Sequence, residues 1–226
     1  MKISSWPNFD KYQIKEVVKV LSSGKVNSWT GDKTRQFEKE FESYFGGHNA
    51  IAVSNGTLAL SAAYKALDIR PGDEVITTPR TFIATSASLA MMGGIPVFAD
   101  VDINSGNITT NNIEPLITKS TKAISVVHLA GWPAEMNKIC KLAKNYNLKV
   151  IEDCSQAHGA KINNQHVGSF GDISTWSFCQ DKIISTGGEG GMIMSRDVEL
   201  YNKMWSLKDH GKTKKSIENN KNVIGF

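Results

Sequence analysis

The chain has 226 residues, of which 40% are hydrophobic and 21% are charged, so it has the composition of a globular protein with one large domain or two small ones. Its formal net charge of +4 is modest, and its basic residues lack the interleaved aromatic residues and the motifs of a nucleic-acid-binding arm. Because no apolar stretch approaches the roughly 20 residues of a membrane-spanning helix and the start lacks a secretory signal, we expect a cytoplasmic protein with neither nucleic acid nor membrane as a partner.

The first 47 residues are predicted to form two amphipathic helices. The first apolar stripe, at the i, i+3, i+4, i+7 spacing of a helix, comprises Ile14, Val17, Val18 and Leu21. Gly24 can end this helix. The second stripe, which ends at Gly46-Gly47, comprises Phe37, Phe41, Tyr44 and Phe45. Stripes of this kind usually pack into a core, so we expect both to be buried and assign no chemistry to them.

From residue 50 onward, short apolar runs alternate with helical stretches. Strands are predicted at 50–53, 74–77, 95–99, 123–128, 149–152, 173–177 and 191–195. Helices are predicted at about 57–67, 81–92, 111–118, 134–145 and 198–207. Since the strands are apolar on both faces, the alternation predicts an α/β fold with a mainly parallel central sheet and helices on both faces. Ligands bind beyond the carboxyl ends of the strands in such sheets, so the residues after each run are candidates for a site.

The first two strands of this region are followed by residues that could bind a phosphate and a flat ring. Ser54-Asn55-Gly56-Thr57 opens a helix, where free N–H groups, a hydroxyl and the helix dipole form an anion site. The same residues would also serve as an ordinary helix cap. Pro79-Arg80-Thr81-Phe82 follows the next strand, and Phe82 could either stack on a heterocycle or belong to the core.

Two adjacent acids end the predicted strand 149–152 and open the segment from Glu152 to Gly159. A carboxylate there costs several kcal/mol unless it is paired, and a protonated pyridine nitrogen is one suitable partner for Asp153. Gln156 can point the same way and hydrogen-bond another edge of the ring. For His158 we favour a structural role.

The segment from Ser177 to Gly191 contains a lysine, Lys182, in a glycine-rich turn between two strands. A lysine that forms a Schiff base needs low solvation and neighbouring groups that lower its pKa. The alternative is an exposed loop lysine, and the spacing alone does not decide between the two. We interpret Cys179 as a spacer.

These clusters, in this order, resemble the DegT/StrS family of pyridoxal-phosphate (PLP)-dependent sugar aminotransferases, within the aspartate-aminotransferase-like fold. The resemblance runs from about residue 29 to residue 207 and also includes Val127-His128-Leu129, Gly131 and Pro133. The ordered set is specific, whereas each motif alone is weak. A dehydratase branch of the family carries histidine where aminotransferases carry the lysine, so Lys182 favours transamination.

The resemblance implies a role for each candidate residue. Lys182 would carry the cofactor covalently and later move a proton, and Asp153 would keep the pyridine nitrogen protonated. Gln156 would contact the phenolic oxygen and Phe82 would stack on the ring. The phosphate would be bound by Gly56, Thr57 and Ser177. Glutamate would load the amino group, which then passes to a keto sugar nucleotide, and the active sites would form in a homodimer.

The resemblance also implies a domain organisation. Residues 1–47 would be a helical N-terminal segment, 48–207 the catalytic core of a fold-type-I large domain, and 208–226 the start of a loop toward a C-terminal domain that this chain lacks. Ala130 and Trp132 stand where the family often has other residues, so the substrate preference is not carried over.

The main alternative is a fragment of such an enzyme that binds PLP and dimerises without turnover. A sugar dehydratase or a regulatory relative is a weaker candidate. A nicotinamide-binding Rossmann enzyme would need G-x-G-x-x-G where the chain has Ser54-Asn55-Gly56-Thr57. A P-loop at Gly211-Lys212-Thr213 would need a glycine five residues earlier, at position 206. The chain has Ser206 there, so the P-loop pattern is not met.

Overall fold

Two helices open the part of the chain that the computed structural model describes, residues 5–214 and 216. Helix α1 (Lys11–Ser23) begins with a capping box, in which Asp10 and Gln13 each accept a hydrogen bond from the other's backbone N–H at 2.8 Å. It ends at Gly24, which adopts a left-handed conformation with φ of 68°. Helix α2 (Lys33–Tyr44) ends just before Gly46 and Gly47. Both predicted helices and their ends are confirmed.

The apolar face of α1 is exposed, and the prediction that its stripe is buried is wrong. No residue of α1 is buried, and the side chains of Val17 and Leu21 are 60% and 64% exposed. In α2, by contrast, Phe41 is buried, as is Phe45 just beyond it, whereas Tyr44 is exposed. Helical spacing determines which residues share a face, but not whether another element covers that face.

Seven strands form one mainly parallel sheet in the order β1-β9-β8-β5-β4-β2-β3. They are β1 (Asn49–Val53), β2 (Glu74–Thr77), β3 (Ile95–Phe98), β4 (Thr121–Val127), β5 (Lys149–Asp153), β8 (Ile173–Ser177) and β9 (Gly191–Ser195). Strand β9 pairs antiparallel with both β1 and β8, and the other pairs of neighbouring strands in this sheet are parallel. The strand predictions are confirmed to within two residues at each end. The short hairpin of β6 (Lys161–Ile162) and β7 (Gln165–His166) was not predicted, because two-residue strands have no detectable periodicity.

Helices cover both faces of the sheet, as predicted. They are α3 (Gly56–Ala66), α4 (Ala84–Ala90), α5 (Thr110–Ile113), α6 (Met136–Asn145) and α7 (Val198–Lys208). Consecutive residues of β5 pack on opposite faces of the sheet. Ile151 packs with the cluster of α3, α4 and α7, and Val150 packs with the cluster of α5 and α6. A third, aromatic cluster joins α2 to β8 through Phe41 and Trp176.

Two helices differ from their predicted lengths. Helix α4 starts at Ala84 rather than near residue 81, because residues 79–83 form the turn that follows β2. The predicted helix at 111–118 is a single turn, α5, followed by a 3₁₀ turn at Glu114–Leu116, which contains Pro115. Within the described residues, no helix has the length and apolar character needed to cross a lipid bilayer.

Candidate active site

The loops after β1, β2, β5 and β8 meet around one cavity of about 570 Å³. They meet because these strands are parallel, so their carboxyl ends lie at one edge of the sheet. All of the predicted site residues line this cavity: Gly56, Thr57, Phe82, Asp153, Gln156, Ser177 and Lys182. The cavity therefore joins segments that are more than a hundred residues apart in sequence.

The N-terminus of α3 forms one end of the cavity. The side chain of Asn55 accepts a hydrogen bond from the N–H of Leu58 at 2.9 Å, and its carbonyl oxygen accepts one from Ala59 at 3.1 Å. The first turn of a helix leaves several N–H groups without a partner inside the helix. Within the described residues, those of Gly56 and Thr57 have no acceptor, so two free donors remain at the positive end of the helix dipole.

Two glycines allow the start of this helix to approach the neighbouring strands β8, which carries Ser177, and β9. A Cβ atom added to Gly56 would lie 2.9 Å from the Cβ of Ser177. One added to Gly191 would lie 2.5 Å from the carbonyl oxygen of Asn55. Because such distances are shorter than van der Waals contact, glycine at both positions permits the close packing that brings the Ser177 hydroxyl beside the N-terminus of α3.

Asp153 is a nearly buried carboxylate at the cavity wall, with 5% exposure. Its Oδ2 accepts a hydrogen bond from the hydroxyl of Thr85 at 2.9 Å, and its Oδ1 accepts the N–H of Ser155 at 3.2 Å. No lysine, arginine or histidine within residues 5–214 and 216 forms an ion pair with it. A carboxylate has about four acceptor positions, so Asp153 can accept a further, positively charged donor from the cavity.

Gln156 is held in one orientation by an unusual turn after β4. Ala130 adopts a left-handed conformation, with φ of 54°, and its N–H donates to the Oε1 of Gln156 at 2.8 Å. Because the oxygen of the amide is engaged by this donor, its NH₂ group is the part available to the cavity. Gln156 is therefore set as a donor, which suits an anionic oxygen.

Lys182 lies in the loop between β8 and β9, and its side chain is 16% exposed. Its Nζ is 3.4 Å from a carboxylate oxygen of Asp181, which is well exposed. The loop is closed at its base by backbone hydrogen bonds, among them Gln180 N–H to the carbonyl of Gly188 at 2.9 Å. Lys182 is thus not an exposed loop lysine, because most of its side chain is covered at the cavity.

Phe82 is exposed at the cavity, whereas His158 is partly buried against aromatic residues of the core. Phe82 is 66% exposed at the cavity mouth, so it is not a core residue of α4 in this chain. His158 packs against the rings of Trp176 and Phe178, with centroids 5.3 and 5.6 Å away. Burial, together with the positive charge of Lys182, lowers the pKa of His158 to about 4, so the ring is neutral and structural at neutral pH.

Glu152, the acid adjacent to Asp153, points away from the cavity into a fully buried network. Its oxygens accept the N–H groups of Gly168, Phe170 and Gly171 at 2.7–2.8 Å. Nε2 of His128 lies 3.0 Å from Oε2 of Glu152, and Nδ1 of His128 accepts the N–H of Ala134, so Nε2 carries the proton and donates it to the carboxylate.

Cys154 lies close enough to His128 and Glu152 for the three side chains to surround a metal ion. Because the oxygens of Glu152 already accept four hydrogen bonds, we interpret this cluster as structural.

Thr85 and Ala130 contact predicted site residues but were not predicted themselves. Thr85 is four residues after Thr81, and this spacing places both hydroxyls on one face of the turn that enters α4, 3.0 Å apart. That spacing is a signal in the sequence. The contact of Ala130 is made by its backbone, so its side chain carries no signal for it.

Residues 7–226 match the profile of the DegT/DnrJ/EryC1/StrS aminotransferase family. A UDP-N-acetyl-3-dehydro-α-D-glucosamine 3-aminotransferase of Acidithiobacillus ferrooxidans is 46% identical over 181 residues, which cover 80% of this chain and 49% of that protein. The chain spans about half the length of the curated relatives it matches.

Two solved structures, one of them of an aminotransferase, share the fold. The structure of an aminotransferase from Psychrobacter cryohalolentis superimposes with a TM-score of 0.95 at 52% identity, covering 100% of this chain and 57% of the other. NtdA from Bacillus subtilis, solved with the bound cofactor PMP (pyridoxamine phosphate), gives a TM-score of 0.85 at 34% identity, covering 94% and 48%.

Proposed function

The chain belongs to the DegT/DnrJ/EryC1/StrS aminotransferase family, and from this premise we propose that it forms the PLP site of a sugar-nucleotide aminotransferase, with Lys182 carrying the cofactor. The observation that carries the proposal is the single cavity, in which a covered lysine, a nearly buried carboxylate without a cationic partner among the described residues, and a helix N-terminus meet.

The residues of the cavity fit PLP, the cofactor of this family. Asp153 can accept a charged N–H donor, and Gly56 and Thr57 offer free donors to a phosphate. Gln156 offers an amide NH₂ to an anionic oxygen. When bound, PLP supplies an aldehyde that links to amines and a ring that withdraws electrons from the neighbouring carbon.

The chain's own residues would bind the cofactor and move the protons. The carboxylate of Asp153 would hold a proton on the ring nitrogen, and Phe82, which lines the cavity, would stack on the ring. The hydroxyl of Ser177 and the N–H groups at the start of α3 would bind the phosphate. The Nζ of Lys182 would hold the cofactor covalently and would also serve as the base that takes and returns the proton at the substrate carbon.

We further propose glutamate as the amino donor and a keto sugar nucleotide as the acceptor, in a homodimer. The named relative from A. ferrooxidans is an aminotransferase for a UDP-linked dehydro sugar, which supports an acceptor of this class. A lysine at position 182, rather than the histidine of the dehydratase branch, supports transfer of the amino group. Phe82 at the cavity and the exposed apolar residues Leu58 and Ile83, each next in sequence to a residue that lines it, support a covering second subunit.

A second candidate function is that of a fragment that binds PLP without turnover. The observation that supports this candidate is that the chain spans about half the length of its relatives. We propose residues 48–207 as the PLP-binding core and 1–47 as the segment that precedes it. The proposed loop at 208–226 lies largely outside the described residues.

The first test of the function is covalent mapping of the cofactor. PLP is added to the purified chain, the absorbance spectrum is recorded, and borohydride reduction is followed by peptide mass mapping. We expect a visible absorbance band and a reduced adduct on Lys182. Addition of glutamate to the PLP-bound chain should then decrease the visible absorbance band. A fragment that binds PLP without turnover would leave this band unchanged.

Lys182→Ala should abolish the reducible adduct while leaving the fold intact, because no other lysine of the described residues lines the cavity. Lys119→Ala, which removes an exposed lysine, is the matched control and should retain the adduct. An adduct of equal yield in both variants would contradict the assignment of Lys182.

A further inference from the structure

The carboxylate of Asp153 is tied to helix α4 by a buried hydroxyl. The Oγ1 of Thr85 lies 2.9 Å from the Oδ2 of Asp153, and both residues are at most 5% exposed. Thr85 is in the first turn of α4, whereas Asp153 ends β5, so this contact joins two elements that are 68 residues apart in sequence.

The direction of these hydrogen bonds follows from the number of protons. An ionised carboxylate only accepts, so the single hydroxyl proton of Thr85 is donated to Asp153. The hydroxyl of Thr81, 3.0 Å from that of Thr85, must then act as the donor to Thr85. The chain of donation therefore runs from Thr81 at the cavity through Thr85 to the carboxylate.

Tyr64 fixes the backbone of Thr85 from the other side. Its hydroxyl, fully buried on α3, donates to the carbonyl oxygen of Thr85 at 2.9 Å. The hydroxyl of Ser125 on β4 lies 3.1 Å from that of Tyr64 and, since Tyr64 has one proton, donates to it. Thr85 is thus held at both its backbone and its side chain by buried partners.

We propose that Thr85 is a positioning residue for Asp153: it holds one carboxylate oxygen in place and keeps the negative charge on it, so that the other acceptor positions face the cavity for the ring nitrogen of the cofactor. This inference rests on the proposed function. A hydrogen bond to a charged acceptor is stronger than one between neutral groups, and a donor on the carboxylate disfavours transfer of the ring proton to it. Without Thr85, the proton moves toward Asp153 and the ring nitrogen loses it.

The experiment follows the ring nitrogen directly, independent of turnover. PLP labelled with ¹⁵N at the ring nitrogen is added to the full chain at neutral pH, its ¹⁵N chemical shift is measured by NMR, and its dissociation constant is measured by fluorescence. The variants are Thr85→Ala, Thr85→Ser, which keeps the hydroxyl, and Ser88→Ala. Ser88 is a matched control, since it is buried in the same helix and donates within that helix to the carbonyl of Ala84.

In the wild-type chain, Thr85→Ser and Ser88→Ala, we expect the shift of a protonated ring nitrogen. In Thr85→Ala we expect the shift to move toward that of a neutral pyridine and PLP to bind roughly tenfold more weakly. Circular dichroism checks that each variant is folded, and Thr85→Val, which keeps the volume of the side chain, replaces Thr85→Ala if that variant is unfolded.

The outcomes separate this inference from the function on which it rests. A wild-type adduct on Lys182 together with an unchanged ¹⁵N shift in Thr85→Ala overturns the role of Thr85 and leaves the proposed function standing. An equal change in Ser88→Ala also overturns it, since the effect would then be one of general packing. Absence of PLP binding to the wild-type chain overturns both.

Discussion

At the scale of single residues, Glu152 and Asp153 are adjacent carboxylates with opposite surroundings. Successive residues of a strand point to opposite faces of the sheet, so Glu152 enters the buried network of His128 and Asp153 faces the cavity. Glu152 is saturated by hydrogen-bond donors, whereas Asp153 keeps acceptor positions free. The same kind of side chain thus has a structural role at one position and is available for chemistry at the next.

The ionisation of Glu152 follows from its partners. Burial by itself would raise the pKa of this carboxyl, but the hydrogen bonds from His128, Gly171 and Gly168 outweigh burial and hold the pKa below its usual value of 4.5. Because the pKa is lower in the folded than in the unfolded state, this carboxylate contributes stability above about pH 4.5, and the contribution is lost as the pH falls further.

Glu152→Gln should therefore lower the free energy of unfolding by about 3 kcal/mol at pH 7, because an amide cannot accept all of these donors. Urea denaturation of both proteins at several pH values measures the difference, which should shrink below pH 4.5. Glu135→Gln, at an exposed i, i+3 ion pair with Lys138, is the control and should cost less than about 0.5 kcal/mol. A Glu152→Gln protein as stable as the control at pH 7 would contradict the structural role.

At the scale of elements, the contact of α3 with β8 shapes the end of the cavity where we place the phosphate. It depends on the absence of a side chain at Gly56, whose Cα lies against Ser177. The two elements belong to the same packed layer, in which Ile173 of β8 and Leu60 of α3 share a core cluster. A side chain inserted at Gly56 would separate them where no neighbouring atom can yield without moving the backbone.

Gly56→Ala is expected to displace the start of α3, to weaken PLP binding roughly tenfold, and to destabilise the chain by about 1–3 kcal/mol. The dissociation constant of PLP and the midpoint of urea unfolding report the two effects. Gly188→Ala is the matched control, because an added Cβ there meets no atom within 4 Å. Equal dissociation constants for the two variants would show that the close approach is not needed for binding.

At the scale of the whole molecule, two histidines, the buried His48 and the partly buried His158, link the free energy of unfolding to mildly acidic pH. Burial, together with the charge of Arg196, lowers the pKa of His48 to about 4, and burial with the charge of Lys182 does the same for His158. Between about pH 4 and 6.5, both are mostly neutral in the folded chain and take up protons when it unfolds. Since their folded pKa values lie below the unfolded value of 6.5, stability should fall as the pH drops from about 6.5 toward 4.

This window lies above the one in which Glu152 acts, so the two effects can be measured separately. We expect the free energy of unfolding from urea titrations at pH 7, 6 and 5 to decline steadily in the wild-type chain. The double variant His48→Gln/His158→Gln should show a flatter decline, since glutamine takes up no proton. An equally steep decline in the double variant would assign the effect to other groups.

The order of the elements and the position of the candidate site were both predictable from the sequence. Apolar runs and helical spacing are local patterns, so the strands from β1 to β9 in the large sheet and the ends of α1 and α2 followed from short segments. Because parallel strands bring their carboxyl ends together, placing Asp153 and Lys182 just after strands was enough to predict that they meet.

Only the tertiary structure decided which groups contact each other across these elements. Its contribution includes the pairing of Glu152 with His128, 24 residues away, the tie between Asp153 and Thr85, 68 residues away, and the exposure of the apolar face of α1. Hydrogen-bond partners and covering elements depend on the order of strands in the sheet and on the packing of helices against it. The periodicity of a single segment shows which residues share a face of a helix or strand. It does not show which residues of other segments will lie against that face.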